Sequence, residues 1–178
     1  ESTARIAWLP TLIEKGPDLA VAHLLEREWE GGADGVVKAP PSWRLEIFLD
    51  VSGSMPDPRK GVNAMTLAAA ILALSAVRSG GAVRPVLYSG NVVTTAAGQW
   101  LRDEGQILDF LLRYIGGGTV FPFDELSRSV TLCRDRQPTR VVLSDWDFLT
   151  NVSNTRESHS ILRRAARHGR LLGIEGPF

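Results

Sequence analysis

The sequence of 178 residues is poor in sulfur and in rings, with one cysteine, two methionines and 7% aromatic residues. The single thiol, Cys133, cannot close an internal disulfide, and it lacks the companion cysteines or spaced histidines of a zinc site. His23, His159 and His168 have no ligand spacing to one another, which leaves them as packed or solvent-facing residues. An excess of either charge is missing as well, since 20 basic side chains stand against 20 acidic ones. Without a positive field over the whole surface there is no general pull on a polyanion, and nucleic acid is not expected as a partner. The most apolar stretch, Leu67 to Leu74, falls well short of the ~20 residues that span a bilayer. No membrane partner is expected, and a reducing, cytoplasmic setting suits the lone thiol. Neither phosphate-cradling glycine loop nor a Gly-x-Ser-x-Gly elbow occurs, which argues against nucleotide binding and serine hydrolysis.

What is there is 44% hydrophobic and 22% charged, the balance of an ordinary compact domain. Two regions differ in composition. Residues 1–42 carry Pro10, Gly16-Pro17, Gly31-Gly32, Gly35 and Pro40-Pro41 around one amphipathic stretch, Pro17 to Trp29. Leu19, Ala22, Leu24, Leu25 and Trp29 recur there near helical spacing, so this N-terminal extension is expected to pack one helix on the rest of the chain. The chain opens on Glu1 rather than methionine, as a piece of a longer polypeptide would.

Residues 43–178 form the second region, in which apolar strands alternate with helical patterns. Leu45 to Leu49 reads as a strand ending at Asp50, and Val62 to Val77 as a buried, alanine-rich helix. Ala82 to Tyr88 reads as a second strand whose Pro85 favours an exposed position, with Val92 to Ala96 returning as an antiparallel edge. Glu104 to Tyr114 sets Ile107, Leu108, Leu111 and Leu112 on one helical face, stopped by Gly116-Gly117-Gly118. A helix over Phe123 to Cys133, a strand over Thr139 to Asp145, a helix from Asn154 to Arg167 and a strand near Arg170 to Ile174 complete the pattern. The expected class is α/β, doubly wound, with a mostly parallel central sheet and helices on both faces.

In such a sheet ligands bind beyond the carboxyl ends of the strands, where neighbouring strands send their connections to opposite faces. Asp50 and Asp145 are both expected at that edge. Asp50-Val51-Ser52-Gly53-Ser54 alternates oxygen-bearing residues with Val51, which turns inward, and Gly53, which lets the backbone bend. With Thr119 after the triple glycine, five oxygen side chains are expected to converge: Asp50, Ser52, Ser54, Thr119 and Asp145. No thiolate or imidazole is among them, so the set suits a hard cation, Mg²⁺ or Mn²⁺ in its place. Its hydroxyls are neutral, which leaves the dication short of negative charge and open to a carboxylate from outside.

These residues resemble the metal-ion-dependent adhesion site of von Willebrand factor type A domains, whose pattern is Asp-x-Ser-x-Ser, a distant Thr and a distant Asp. The resemblance covers roughly residues 43–175. It implies a Rossmann-like fold and a non-enzymatic module that binds a Glu or Asp of a partner protein through the metal. In the family the serines usually hold the metal directly and the aspartates often hold it through water. Met55 after the motif and the absence of a cysteine pair resemble the intracellular bacterial type that works beside MoxR-type AAA+ ATPases. Two departures stand out: Trp146-Asp147 follows Asp145 where many members have glycine, and the sequence stops soon after the fifth strand, so a last strand and helix of the family fold are not expected.

Other readings stay beside this one. The Asp-x-Ser-x-Ser segment suits the cap of the helix that follows. A magnesium-dependent phosphoryl-transfer or hydrolytic enzyme also places an aspartate at a strand end, although the position two residues later holds Ser52 rather than a second acid. A structural domain with an empty site is the third. Asp57 and Asp147 are candidates to replace or support Asp145, and Trp146 to line a rim. Arg156, Arg163, Arg164, Arg167 and Arg170 make the late helix basic, a solvated face or a contact for an acidic partner.

Overall fold

The structure, a computed structural model, describes residues 43–90, 95–133, 137–145 and 156–175. The expected helix over residues 17–29, and Trp146 and Asp147, lie outside the described residues. Five strands, β1 (Arg44–Asp50), β2 (Ala82–Tyr88), β3 (Thr95–Ala96), β4 (Thr139–Ser144) and β5 (Arg170–Glu175), form one sheet in the order β3-β2-β1-β4-β5. Every pairing is parallel except β2 with β3. The helices are α1 (Ala64–Arg78), α2 (Glu104–Leu111), α3 (Phe123–Leu132) and α4 (Arg156–Arg167). Among the described residues no helix is long and apolar enough to cross a membrane.

Strand alternation sends Leu45, Ile47 and Leu49 of β1 to one face, where they meet α1 and α2 through Met65, Ala69, Ala73, Ile107 and Leu111. Phe48 of β1 turns the other way and packs with Val86, Val142, Leu126 and Val130 of α3, and Ala165 of α4. Helices therefore cover both faces, and the fold is the doubly wound α/β sheet read from the sequence. The small side chains Ala69, Ala73 and Ala76 are fully buried, which brings α1 close to the sheet.

The second face also holds charge. Parallel register sets Glu46 beside Arg84 on one side and Arg140 on the other. Arg84 pairs with Glu46 and with Glu125 of α3. Arg140, fully buried, donates from Nε to Glu46 at 3.2 Å and to Ser129 Oγ at 3.0 Å, and from Nη1 to the His168 carbonyl at 3.1 Å. Ions this deep persist only when each finds opposite charge or a dipole, and this row supplies both.

Two expectations about elements need correction. Pro85 is buried rather than exposed, because β2 lies between β1 and β3. Its carbonyl accepts from Ala97 N at 3.0 Å, so its missing N–H falls on the β3 side and no bond to β1 is lost. The helix α2 ends at Leu111 and not at Tyr114, and its inner face is Ile107, Phe110 and Leu111, with Leu112 turned to solvent. The triple glycine therefore does not stop this helix. It serves the edge of the sheet.

Candidate functional site

The connection after β1 leads to α1 on one face, and the connection after β4 leads to α4 on the other. A doubly wound sheet opens a crevice where such connections diverge, and Asp50 and Asp145 stand there at adjacent strand ends. Ser52 N donates to Asp50 Oδ1 at 2.9 Å, which folds the chain back directly after the strand. Ser144 Oγ of β4 donates to Asp50 Oδ2 at 2.7 Å and ties the two strand ends together. Ser52 Oγ and Ser54 Oγ lie 3.1 Å apart, and Ser54 Oγ donates to Asp145 Oδ2 at 2.5 Å. Four of the five expected residues thus form one connected group of oxygens. Val51 between them is buried, as the alternation requires.

The fifth, Thr119, is half-buried on the loop between α2 and α3, and that loop docks on the same edge through its backbone. Gly53 N donates to Gly117 O at 2.7 Å, Gly116 N to Val51 O at 2.9 Å and Val120 N to Ser89 O at 3.1 Å. Ser89 Oγ also donates to the Gly116 carbonyl. Two features make glycine necessary in this contact. Gly116 and Gly117 have φ of 74° and 89°, and a Cβ on Gly53 would stand 2.9 Å from the Gly117 carbonyl oxygen. Beyond Thr119 the chain is pinned by Phe121, whose ring packs 5.5 Å from Phe48 and 5.4 Å from Tyr88. Thr119 is therefore held at the crevice by its neighbours, and no side-chain bond joins it to the other four among the described residues.

Electrostatically the site is strained toward neutrality. Burial pushes the Asp50 carboxyl above its ordinary value, the hydrogen bonds from Ser144 and Ser52 pull it back, and the charge of Asp145 adds to the rise. The capping alternative fails: α1 begins at Ala64 and is capped by Asn63, whose side chain accepts from Thr66 N at 2.9 Å. The Ser52 and Ser54 hydroxyls are spent on no helix end. Asp57 accepts from Arg59 N at 3.0 Å and pairs with Lys60, with no bond to Asp145. Among the described residues no three His, Cys, Asp or Glu side chains gather into a metal cluster, and the two carboxylates here are supplemented by hydroxyls instead. Cys133 is buried beside Glu46, and burial raises its thiol above the usual value, the condition of an inert thiol.

Three residues that support the site were not singled out from the sequence: Ser144, Ser89 and Phe121. Ser144 had a usable signal, since it sits one residue before Asp145 and so shares the sheet face of Asp50 once β1 and β4 are paired in register.

The oxygens present fit a hard divalent cation. Ser52 Oγ, Ser54 Oγ and Asp145 Oδ2 already lie within hydrogen-bond distance in sequence, which is the crowding that a small shared cation requires. Asp50 joins them through Ser52, Thr119 stands on the loop docked at the same edge, and no soft ligand is present.

Neither a protein-family model nor a curated protein matches the sequence. Among solved structures the chain is similar to a von Willebrand factor type A protein from Catenulispora acidiphila, at 20% identity and a TM-score of 0.48 over 75% of this chain. The chain spans 32% of that protein's length. It is also similar to an aerotolerance-related membrane protein from Bacteroides fragilis carrying multiple mutations to serine, at 14% identity and a TM-score of 0.44, covering 76% of this chain and 92% of the other. At these scores neither likeness adds to what topology and geometry say by themselves.

Proposed function

We propose that this chain is a metal-dependent protein-binding module, of the von Willebrand factor type A kind, and not an enzyme. The observation that carries the reading is the bond from Ser54 to Asp145 at 2.5 Å, 91 residues apart in sequence, which joins the Asp-x-Ser-x-Ser turn to the next strand end. Ser52, Ser54 and Asp145 would hold Mg²⁺, or Mn²⁺ in its place, with Asp50 and Thr119 supporting it directly or through water. The ion would supply Lewis acidity toward a carboxylate oxygen. A cation that favours six oxygen ligands and finds few charges in the protein would retain places for water, one of which a Glu or Asp of a partner could take.

The residues argue for binding over turnover. The position two residues after Asp50, where a proton-donating acid would serve phosphoryl transfer, is Ser52, and its hydroxyl belongs to the connected group. The sequence resemblance supports an intracellular partner, such as a MoxR-type AAA+ ATPase within a larger assembly. The test is a pull-down from the native source with and without EDTA, comparing wild type with Asp50→Ala. Recovery of a partner that needs both the metal and Asp50 is the expected result, and equal recovery in every arm would place the interface elsewhere.

A further inference from the structure

The chain is neutral overall, yet its charge is segregated. Residues 156–170 carry five arginines, Arg156, Arg163, Arg164, Arg167 and Arg170, against one acid, Glu157, a surplus of four positive charges. Arginines elsewhere are largely occupied: Arg84 and Arg140 by Glu46, Arg128 by Glu125, Arg78 by Glu104 and Arg59 by the Leu112 carbonyl. Arg164 donates to Ser127 of α3. Among the described residues no carboxylate pairs with Arg156, Arg163, Arg167 or Arg170, and all four are exposed.

The spacing gives these charges a shape. At 100° per residue, steps of seven and four bring Arg156, Arg163 and Arg167 within about 40° of one another around α4. The buried residues Ser158 and Ala165 mark the opposite side of the helix, so the three guanidinium groups form a straight ridge directed at solvent. The ridge is about 16 Å long at 1.5 Å per residue. Helix electrostatics accounts for Arg164 and Arg167 near the C-terminus but opposes Arg156 in the first turn. Folding therefore gains nothing from a cation at that end. Because β4 and β5 are parallel, α4 runs back between them, and Arg156 lies at the carboxyl edge where Asp50 and Asp145 stand.

We propose that this arginine ridge is a docking surface for an acidic protein segment, one that lays several Asp or Glu side chains along α4. Guanidinium groups bind carboxylates in a fork geometry suited to such a strip. The exposed residues between them, Glu157, His159, Ser160, Arg164 and Ala166, include no Phe, Tyr or Trp ring to form a stacking platform and no large apolar side chain to enter a lipid surface. A long phosphate rod would also meet acidic side chains of a neutral protein beyond the ridge. A short acidic segment would meet the ridge alone. This surface does not depend on the proposed metal site.

The test uses the full chain in EDTA, so that metal plays no part, and a fluorescent oligo-glutamate peptide of about ten residues, more than the ~5 extended residues that would span the ridge. Anisotropy is read at about 50 mM and about 200 mM salt, with a short DNA duplex and phosphatidylserine vesicles as competing probes. The peptide is expected to bind, to weaken as salt rises, and to lose at least about tenfold in affinity in R156Q/R163Q/R167Q. Arg156→Lys, Arg163→Lys and Arg167→Lys together keep the charge but lose the fork, and are expected to bind with an affinity between wild type and the glutamine variant, while Arg113→Gln, an exposed arginine in the turn after α2, leaves the affinity unchanged. Absence of peptide binding, equal binding by the glutamine variant, or tighter binding of the duplex or the vesicles than of the peptide would each overturn the proposal.

Discussion

At the scale of single residues, Asp50 bears a cost that the fold does not recover by itself. Its raised carboxyl value means that the folded chain holds the proton more tightly than the unfolded chain does. Its contribution to stability is therefore most favourable at low pH, falls as pH rises through the ordinary carboxylate range to the raised value, and stays lower above it. Asp50→Asn in EDTA is expected to unfold at a higher temperature than wild type at pH 7, by about 2–4 °C for a change near 1 kcal/mol, with the gap closing toward low pH. Thermal unfolding across pH checks this, and a variant destabilised equally at every pH would contradict it. Gly53→Ala acts in the opposite direction, because the added carbon meets a carbonyl that the loop cannot withdraw. A loss of about 1–3 kcal/mol is expected in denaturant unfolding. Asp50, Ser52, Ser54 and Asp145 were legible in the sequence because the two aspartates end apolar strands and the two serines alternate around the Gly53 bend. Ser89 was not, since its bond to Gly116 depends on a loop meeting a strand 27 residues away.

Among the elements, the charged row across β1, β2 and β4 is the feature with the largest energetic consequence. Removing one partner strands the others in a dry interior, whereas in the intact row each ion faces opposite charge and Arg140 Nη2 is left as a buried nitrogen without a hydrogen bond. Glu46→Gln is therefore expected to cost about 3 kcal/mol or more, lowering the unfolding midpoint by about 6 °C or more. A shift below about 1 °C would show that water reaches the row. Apolar runs and helical spacing revealed all the described strands and helices, because burial on one or both faces leaves that pattern in the chain. They did not reveal the row, because a charged residue inside a strand looks like a solvent-facing one until register sets Glu46 between Arg84 and Arg140. The same blindness to register misplaced Pro85. The end of α2 was misjudged because Leu112 fits the helical spacing while the chain is already turning toward Gly116.

For the molecule as a whole, the doubly wound topology brings a turn after β1 and an aspartate after β4 to one crevice, and the proposed cation would be the link between them. A ligand bound only by the folded state stabilises it by mass action, about 2.7 kcal/mol at a hundredfold excess over its dissociation constant. The unfolding temperature is thus expected to climb with Mg²⁺ in wild type and to stay flat in Asp145→Asn. The most direct measurement is a Mn²⁺ titration followed by electron paramagnetic resonance, with Mg²⁺ as competitor. One bound Mn²⁺ per chain, displaced by Mg²⁺ and lost when Ser52 and Ser54 are both replaced by alanine, is the predicted result. No bound ion in wild type, or full binding in that double variant, would contradict it.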